Sequence, residues 1–416
     1  MDSKTRFSLL LVLSLMCSVT NASEDKLAAE FLLSTTVGLS DTTRSWLNGG
    51  LGKFRFDEDD DKKLLFDHLA VGIRYKPSLH SSLTIDLFHH NDPEGRLALT
   101  QAFWQYKPFR TKHWRSRYRF GIFHAPLSLE NRGKFWTSPY TATPSILNSW
   151  LGEELRTVGA EGIWTWSKTP HAADKVSFIG ALFGFNDPAG SMLSWRGWSG
   201  HNRQTGITER LPLRWLPVFA EGEIFEDQAS SFEPFKEVDG RIGGYAGLEW
   251  RRGRTIKLQS VYYHNNGSPL AIKNGQYSWR TQFAQVALHL RLPRQWELLT
   301  QVMSGNTLMG QRAVNNDFYA VYMMFAKTLN DRHRIALRVE QYGVDDKDNL
   351  GNLDRNDESG WATTFSYNFM PSARWRLSME YNSNDWSRQS NTAVFEQRIR
   401  WQEKQLSLSA RYFFEL

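Results

Sequence analysis

Charged side chains of both signs alternate with apolar ones along many short segments of this chain. Residues 338–340 read Arg-Val-Glu, and residues 398–401 read Arg-Ile-Arg-Trp. Successive side chains of a β-strand point to opposite faces, so each such strand would have a charged face and an apolar face. Charges that border water replace part of the hydration shell of a polar solute. The candidates are Arg74, Arg117, Arg119, Glu221, Glu223, Arg338, Glu340, Arg376, Glu380, Arg398, Arg400 and Arg411.

The elements that would position these side chains are strands throughout. Period-two alternation recurs in short segments, and no long stretch with the 3.6-residue period of a helix competes with it. At the end of the chain Leu406, Leu408, Ala410, Tyr412 and Phe414 alternate with mostly polar residues. The predicted strands are 31–40, 69–75, 83–89, 97–106, 118–123, 159–166, 176–185, 218–225, 245–250, 256–262, 283–292, 296–304, 318–326, 335–342, 361–369 and 375–381, with two more after residue 393.

The first 22 residues have the pattern of a secretory signal peptide. Lys4 and Arg6 precede a short apolar run at 7–16, and Ala22 precedes the expected cleavage point. The apolar run is too short to favour the alternative, a membrane anchor helix. The single cysteine, Cys17, lies within this signal, so we expect residues 23–416 to contain no disulfide.

The mature chain must be either soluble and exported or a membrane barrel. After the signal, no apolar stretch approaches the roughly 18 residues that a membrane helix needs. A closed barrel also satisfies every backbone group in lipid, and a charge facing hydrocarbon costs about 2–4 kcal/mol, so the charged faces would point inward. The sequence predicts an all-β fold, a transmembrane antiparallel β-barrel of about sixteen to eighteen strands.

Connection lengths support the barrel. Long polar connections at 265–280, 305–317, 343–360 and 383–391 alternate with short ones at 292–295, 329–332, 370–373 and 402–404. Membrane barrels have short periplasmic turns and longer external loops. The last short turn conflicts with this order, because it would send the final strand outward. Either a strand is miscounted or that turn faces outside.

Aromatic residues mark many predicted strand ends, among them Tyr75, Tyr106, Trp166, Trp250, Tyr262, Trp296, Tyr342, Trp361, Trp375, Tyr381 and Trp401. Rings at both interfaces are the expected aromatic girdles of a barrel. Because the chain has 17 tryptophans, a row of sugar-binding platforms is the alternative interpretation.

Residues 125–158 join two predicted strands by an unusually long connection rich in rings and charges. A loop of this length in a compact structure is usually functional or disordered. We expect it to fold into the barrel as a constriction, with an external cap as the alternative. The candidates for the constriction are Arg132, Lys134, Trp136, Tyr140, Glu153, Glu154 and Arg156.

The segment leading into this loop contains Gly121, Phe123, Pro126, Leu129 and Glu130. It resembles the phosphate-selective porin O/P group, in which a strand ending Gly-x-Phe-x-x-Pro-x-x-Leu-Glu leads into the third, constricting loop. The resemblance implies a water-filled channel, commonly trimeric.

Other site types find little support. The segment from His264 to Ser268 resembles the His-x-Ser-Asn motif of outer-membrane lipid hydrolases, but Asn266 occupies the nucleophile position. The acidic runs 57–61 and 346–357 lack the ligand pattern of a calcium loop. The basic residues are dispersed, although the pI is 9.2, so we expect no nucleic-acid partner.

Together these patterns predict an outer-membrane porin for passive diffusion of small hydrophilic solutes or ions. Counted over all predicted strands, the inward-facing charges are ten basic and nine acidic, and the net charge is +6, which favours weak ion selectivity. This count adds to the candidates above Lys257, Arg291, Asp86, Glu161, Glu249, Glu297 and Glu396. We expect no cofactor, metal or catalysis, and contact with outer-membrane lipid and lipopolysaccharide. The alternatives are a sugar-specific barrel channel, a soluble exported β-protein and a barrel enzyme acting on lipid.

Overall fold

The computed structural model describes residues 26–57, 65–91, 97–348, 350, 355–390 and 399–416. Within them, sixteen antiparallel strands close into a barrel, each paired with its neighbours in sequence, and the last strand pairs with the first. In this described part of the chain, no helix is long and apolar enough to cross a membrane. The proposed signal peptide, residues 1–22, lies outside the described residues.

The barrel strands are β1 (Leu27–Asp41), β2 (Leu65–Tyr75), β3 (Ser81–His90), β4 (Leu97–Tyr106), β5 (Trp114–Phe123), β6 (Thr157–Trp166), β7 (Asp174–Gly184), β8 (Gly243–Arg252), β9 (Ile256–His264), β10 (Arg280–Leu292), β11 (Trp296–Met309), β12 (Val314–Asn330), β13 (His333–Asp346), β14 (Glu358–Phe369), β15 (Trp375–Arg388) and β16 (Arg400–Glu415). Two ladders of two-residue strands lie in the connections, Leu211–Pro212 with Ser231–Phe232 and Ile272–Lys273 with Gln276–Tyr277.

Connection lengths differ between the two ends of the barrel. Short turns such as 253–255, 293–295 and 331–332 lie at one end, which we call the short-turn end, and connections such as 124–156 and 185–242 start from the other. Glu30 pairs with Glu415, so β1 begins and β16 ends at the short-turn end. Both ends of the barrel chain therefore lie on the side expected to be periplasmic.

The predicted turn at 402–404 is wrong, because these residues lie within β16. Glu403 and Gln405 are buried on the inner face of that strand, where polar side chains are accommodated, so the polar composition of 402–404 does not indicate a turn. The conflict in strand direction disappears as a result. Most of the strand predicted before Trp401 lies outside the described residues.

The predicted strand at 218–225 is also wrong. It lies in the connection 185–242, where Pro217–Phe219 forms a 3-10 turn. Val218 and Phe225 are fully buried and pack in one cluster with Trp195 and Trp279. They are apolar because of this packing within the connection, and they do not form the apolar face of a strand. Glu221 and Glu223 consequently do not belong to the barrel wall.

The outer face of the barrel is apolar with aromatic side chains near its rims. Leu406 and Leu408 are exposed to the outside, as are Trp296, Trp361 and Trp375. This pattern matches a lipid-facing band with girdles. Tyr342 and Trp401 depart from the predicted girdle. Tyr342 is fully buried in the barrel interior, and Trp401 packs against the same interior cluster.

The inside of the barrel is filled by three connections, which we call the first inward segment (residues 42–57), the second (124–156) and the third (185–242). The second contains helix α1 (Ile146–Glu154), and the third contains the short helix α2 (Ser191–Trp195). Their apolar side chains form one buried cluster with inward side chains of the wall. At its centre the Trp150 ring meets those of Trp198, Phe283 and Phe318 at centroid distances of 5.8, 5.6 and 5.4 Å.

Candidate functional site

Charged side chains of the wall hold the second inward segment across the lumen. Glu380 of β15 accepts hydrogen bonds from the backbone N–H groups of Ala142 (2.6 Å) and Thr143 (2.9 Å). Arg376 on the same strand donates to the carbonyl oxygens of Ser138 (2.7 Å) and Thr141 (3.1 Å).

Two further strands complete this contact. Arg411 of β16 donates to the Ala142 carbonyl oxygen at 2.8 Å, and Asn368 of β14 donates to that of Tyr140 at 2.7 Å. We call the contacts made by Arg338, Glu340, Arg376, Glu380 and Arg411 with this segment the wall clamp. Its members were predicted as inward charges, and they bind loop backbone and not open water.

The wall clamp also contacts Glu130, a fully buried residue near the start of the second inward segment. Arg338 Nη1 lies 2.9 Å from one Glu130 oxygen, and the other accepts from the Ser145 N–H at 2.9 Å. Arg338 Nε also pairs with Glu340 at 2.7 Å. The second Glu340 oxygen accepts the Ile146 N–H at 2.8 Å, which places a carboxylate at the positive N-terminus of α1.

The acidic C-terminus of α1 is buried under the third inward segment. Glu153 forms a bidentate pair with Arg196 (2.8 and 2.6 Å), and its pKa is lowered because the charges of Arg196 and His201 outweigh the opposing effect of burial. Glu154 accepts the Leu193 N–H at 3.1 Å. Burial, reinforced by the neighbouring Glu153, raises the pKa of Glu154 to about 8. Glu154 is therefore mostly protonated at neutral pH.

Arg156 and Trp136 both contact His124. His124 is the first residue of the second inward segment and Arg156 is its last, so this contact joins the two ends of the segment. The Trp136 ring stacks on the imidazole of His124 at a centroid distance of 4.2 Å, and the Arg156 guanidinium contacts the same imidazole. Arg156 also donates to the Thr205 carbonyl oxygen at 2.8 Å. Burial and the Arg156 charge hold the pKa of His124 well below its usual value, so the imidazole is neutral.

The first inward segment is held by β14, β15 and β16. Lys53 Nζ lies 2.9 Å from Glu358, which also pairs with Arg388 at 2.8 Å. The Lys53 N–H donates to Glu403 at 2.9 Å. Burial lowers the pKa of Lys53 to about 8 although Glu358 opposes the shift. The sequence patterns do not reveal Glu358, Arg388 and Glu403 as wall residues, because the predicted strands begin at residue 361, end at 381 and leave 402–404 as a turn, whereas the observed strands are longer.

At the short-turn end, the remaining constriction candidates tie the loop to the rim. Arg132 donates to the Tyr140 hydroxyl at 2.6 Å, and that hydroxyl donates to Glu297 at 2.9 Å. Lys134 pairs with Glu30 at 2.7 Å and with Glu415 at 3.1 Å. Arg132 and Lys134 are exposed, whereas Glu153, Glu154 and Arg156 are fully buried. The predicted set therefore divides between an accessible mouth and a closed interior.

Among the cavities at the short-turn end, two matter for the proposed route and for the charges that face it. The first, which we call the basic cavity, has a volume of about 610 Å³ and lies against β5–β9. The second, of about 590 Å³, lies between Lys134, Arg334, Arg374, Arg376 and the end of β16. A polar gap of only about 20 Å³ lies deeper, between the second and third inward segments, and shares Thr137 and Ser138 with the second cavity. It has room for about one water molecule.

The other wall candidates occupy different environments. Arg74 points inward and pairs with Glu30 (3.0 Å) and Asp86 (2.6 Å), and Arg119 pairs with Glu161 at 2.8 Å. Arg117 lines the basic cavity. Arg400 is a correction: its side chain is 73% exposed and pairs with Asp385, because even-numbered residues of β16 point outward. Arg398 lies outside the described residues.

Carboxylates that could attract a metal ion are committed to loop structure. Oxygens of Asp187, Glu237 and Asp239 lie within 4.8 Å of one another. Asp187 accepts the N–H groups of Val238 (2.6 Å) and Asp239 (3.1 Å), and Glu237 accepts those of Gly240 (2.7 Å) and Phe185 (2.8 Å). These contacts are those of a capped turn.

No family model and no curated protein sequence matches this chain. Solved structures do match it. The outer membrane channel DcaP of Acinetobacter baumannii has a TM-score of 0.54 and 8% identity, over 94% of this chain and 99% of that one. An anion-selective porin from Comamonas acidovorans has a TM-score of 0.51 and 10% identity, over 93% and 99%. Outer-membrane expressed OmpT of Vibrio cholerae has a TM-score of 0.51 and 8% identity, over 94% and 99%.

This is the fold of outer-membrane porins and channels. At such low identities the similarity establishes the fold alone. The fold and the apolar outer face of the barrel together place the protein in an outer membrane.

Proposed function

We propose that this protein is an outer-membrane channel through which small hydrophilic solutes diffuse, and that the second inward segment is its constriction. The observation that supports this most directly is the wall clamp. It holds a loop across the lumen of a closed barrel, between cavities at the short-turn end and the buried third segment. Hydrogen bonds from several strands fix this loop inside the barrel, and the loop narrows the passage through it.

The polar gap marks the narrowest part of the proposed route. Asn131, Asn148, Asn202 and Gln204 contribute polar side chains to its lining. A gap of about 20 Å³ passes water but not a solute, so larger solutes require the second and third segments to separate locally. The wall clamp sets how easily they separate, and it therefore sets the conductance.

The sugar-channel alternative loses its main support in the placement of tryptophan. A sliding track needs rings that border water, whereas six tryptophan side chains of the connections and the wall are fully buried. They are Trp46, Trp150, Trp195, Trp198, Trp279 and Trp386. The abundance of tryptophan is explained by this packing and by the girdles. For the lipid-enzyme alternative, His264 Nδ1 accepts the Asn266 N–H at 2.9 Å, which leaves the hydrolase-like motif within a local turn.

Ion selectivity is the finer part of the proposal. The Comamonas acidovorans porin is anion-selective, and the motif ending at Glu130 resembles the phosphate-selective group. Residues 125–158 contain a single lysine, Lys134, and no lysine cluster. We propose weak selectivity on this basis, and we propose a homotrimer from the resemblance, which mass measurement in detergent will test.

Planar-bilayer recording tests the channel function. Purified mature protein should insert with discrete, ohmic current steps in potassium chloride. A correctly folded barrel, verified by its heat-modifiable mobility in gel electrophoresis, that inserts and gives no current would overturn the proposal. Liposome swelling with uncharged sugars of increasing size measures the size limit independently.

A further inference from the structure

The charges that face the basic cavity are almost all of one sign. Its lining includes six basic side chains and a single carboxylate, that of Glu249. The basic residues are Lys107, Arg110, Arg115, Arg117, Arg251 and Lys257. Such clustering in a concave site raises the local concentration of anions. The near-even balance of charges along the whole chain conceals this segregation.

Acidic neighbours neutralise only part of the cluster. Glu249 pairs with Lys257 at 2.9 Å and also contacts Arg251. Glu161 lies 3.9 Å from Arg117 but is held by Arg119 at 2.8 Å. Lys107, Arg110 and Arg115 form no ion pair with any of the residues that the structure describes. The Arg117 Nε atom is buried and has no hydrogen-bond partner there either.

The cavity also presents apolar surface. Ile163, Ile179 and Pro126 are among its lining residues. At its rim, Leu79 and Phe109 belong to short turns and are 98% and 84% exposed. Phe109 is held in place by an edge contact with the His80 ring at 4.0 Å. Two large apolar side chains at the mouth of a charged cavity suit a ligand that has an apolar body as well as a charge.

We propose that the basic cavity is a binding site for organic anions, carboxylates with a flat or alkyl apolar body, at the short-turn mouth of the channel. Arg115 and Arg117 would bind the carboxylate, and Phe109 with Leu79 would cover the body. A volume of about 610 Å³ accommodates a small aromatic acid together with water. The site rests on the proposed channel function, since the basic cavity opens at the short-turn end of the barrel, where the second cavity leads to the proposed route.

Three probes separate the parts of this proposal. Benzoate has both charge and ring, benzamide has the ring alone, and inorganic phosphate has the charge alone. Each is added to one chamber of a bilayer and then to the other while single-channel current is recorded. We expect benzoate to block from one side only, at a concentration at least tenfold below that of the other two probes. Reversal potentials in a potassium chloride gradient should show preference for chloride.

Matched variants locate the site. Arg115→Glu should raise the half-blocking benzoate concentration by roughly tenfold and reduce the chloride preference, since attraction becomes repulsion. Lys112→Glu makes the same charge change in the turn that precedes β5, outside the cavity lining, and should leave benzoate block unchanged. Phe109→Ser should weaken benzoate block by roughly fivefold without changing the chloride preference.

The outcomes distinguish this inference from the channel function. Benzoate binding is also measured by calorimetry on the detergent-solubilised protein, independently of current. Current without chloride preference, or equal block by benzoate and phosphate, overturns the organic-anion site and leaves the channel intact. Benzoate binding that Arg115→Glu weakens, in a protein that carries no current, supports the site and overturns the channel. No binding in a conducting channel overturns the site alone.

Discussion

Removing Glu380 should free the second inward segment from the wall. The carboxylate of Glu380 is fully buried and accepts the N–H groups of Ala142 and Thr143 at 2.6 and 2.9 Å. Hydrogen bonds to a charged acceptor contribute about 1.5–3 kcal/mol each, so Glu380→Ala removes about 3–6 kcal/mol from this anchor. Arg376 and Arg411 would also lose the compensating negative charge of Glu380, while Asp67 continues to compensate Arg411.

A loss of this size shifts the equilibrium between the attached and the detached segment far more than it changes the stability of the barrel. The barrel ladders remain intact, because Glu380 contributes only its side chain to the interior. Each 1.4 kcal/mol is a tenfold change, so the detached population of the segment should rise roughly 10²- to 10⁴-fold. Single-channel records of the variant should show higher mean conductance and larger open-state noise than the parent protein.

Trypsin provides a second measurement of the same event. Arg132 and Lys134 lie at the accessible mouth, and cleavage there requires the surrounding backbone to detach. The variant should be cut at these sites much faster than the parent protein, with fragments identified by mass spectrometry. Ser407→Ala is the control, because Ser407 of β16 lies directly opposite Glu380 on the inner face and, among the described residues, forms no hydrogen bond with the second inward segment. Unchanged noise and unchanged cleavage in a folded Glu380→Ala barrel would refute the wall clamp.

Three further predictions follow from single residues. Burial raises the pKa of Glu154 to about 8, so the protonated carboxyl stabilises the fold fully below pH 4.5, and roughly 4–5 kcal/mol of this stability is lost as the pH rises to 8. In urea titrations at pH 5 and 8.5, Glu154→Gln should lose less unfolding free energy between the two pH values than the parent protein. An equal loss in both proteins would contradict this prediction. Trp150→Ala should cost the inward segments about 3–5 kcal/mol, seen as faster amide exchange in α1, whereas the exposed Trp215→Ala should have no effect. Gly121→Ala should reduce the folded fraction, measured by heat-modifiable gel mobility, because Gly121 has φ of 123° and a Cβ there would lie 2.3 Å from a backbone oxygen of the neighbouring strand. Gly180→Ala is the matched control, because its Cβ would meet its nearest atom at 3.8 Å. Equal folding of the two variants would contradict this explanation.

The barrel could be predicted from the sequence because the wall obeys one rule along its whole length. Lipid outside and polar groups inside impose a period of two, and the predicted segments that lie within the described residues correspond to the strands except at 218–225 and near 402–404. Both errors come from residues of the interior. Val218 and Phe225 are apolar because they pack inside a loop, not because they form a strand face. Glu403 is polar because it faces the barrel interior, not because it lies in a turn.

The occupants of the interior could not be predicted in the same way. Alternation assigns Arg338 and Glu380 to the inner face, but it carries no information on whether that face meets water or backbone. Their partners Ser145, Ala142 and Thr143 are ordinary loop residues whose exposed or buried state depends on the fold of the whole segment. The signal for the basic cavity was nevertheless present, since Arg115 precedes Arg117 and Arg119 with the same alternation.

Selectivity in such a barrel depends on where charges remain accessible, not on their total. The carboxylates of Glu130, Glu340, Glu358 and Glu380 are consumed in holding the inward segments, where they meet backbone N–H groups, arginine or lysine. At the short-turn mouth, in contrast, Lys107, Arg110 and Arg115 stay exposed. Among the described residues, more acidic than basic side chains are therefore buried. A nearly neutral inner wall can therefore present an anion-attracting mouth, and this is why the chloride preference is the measurement that most directly tests the geometry.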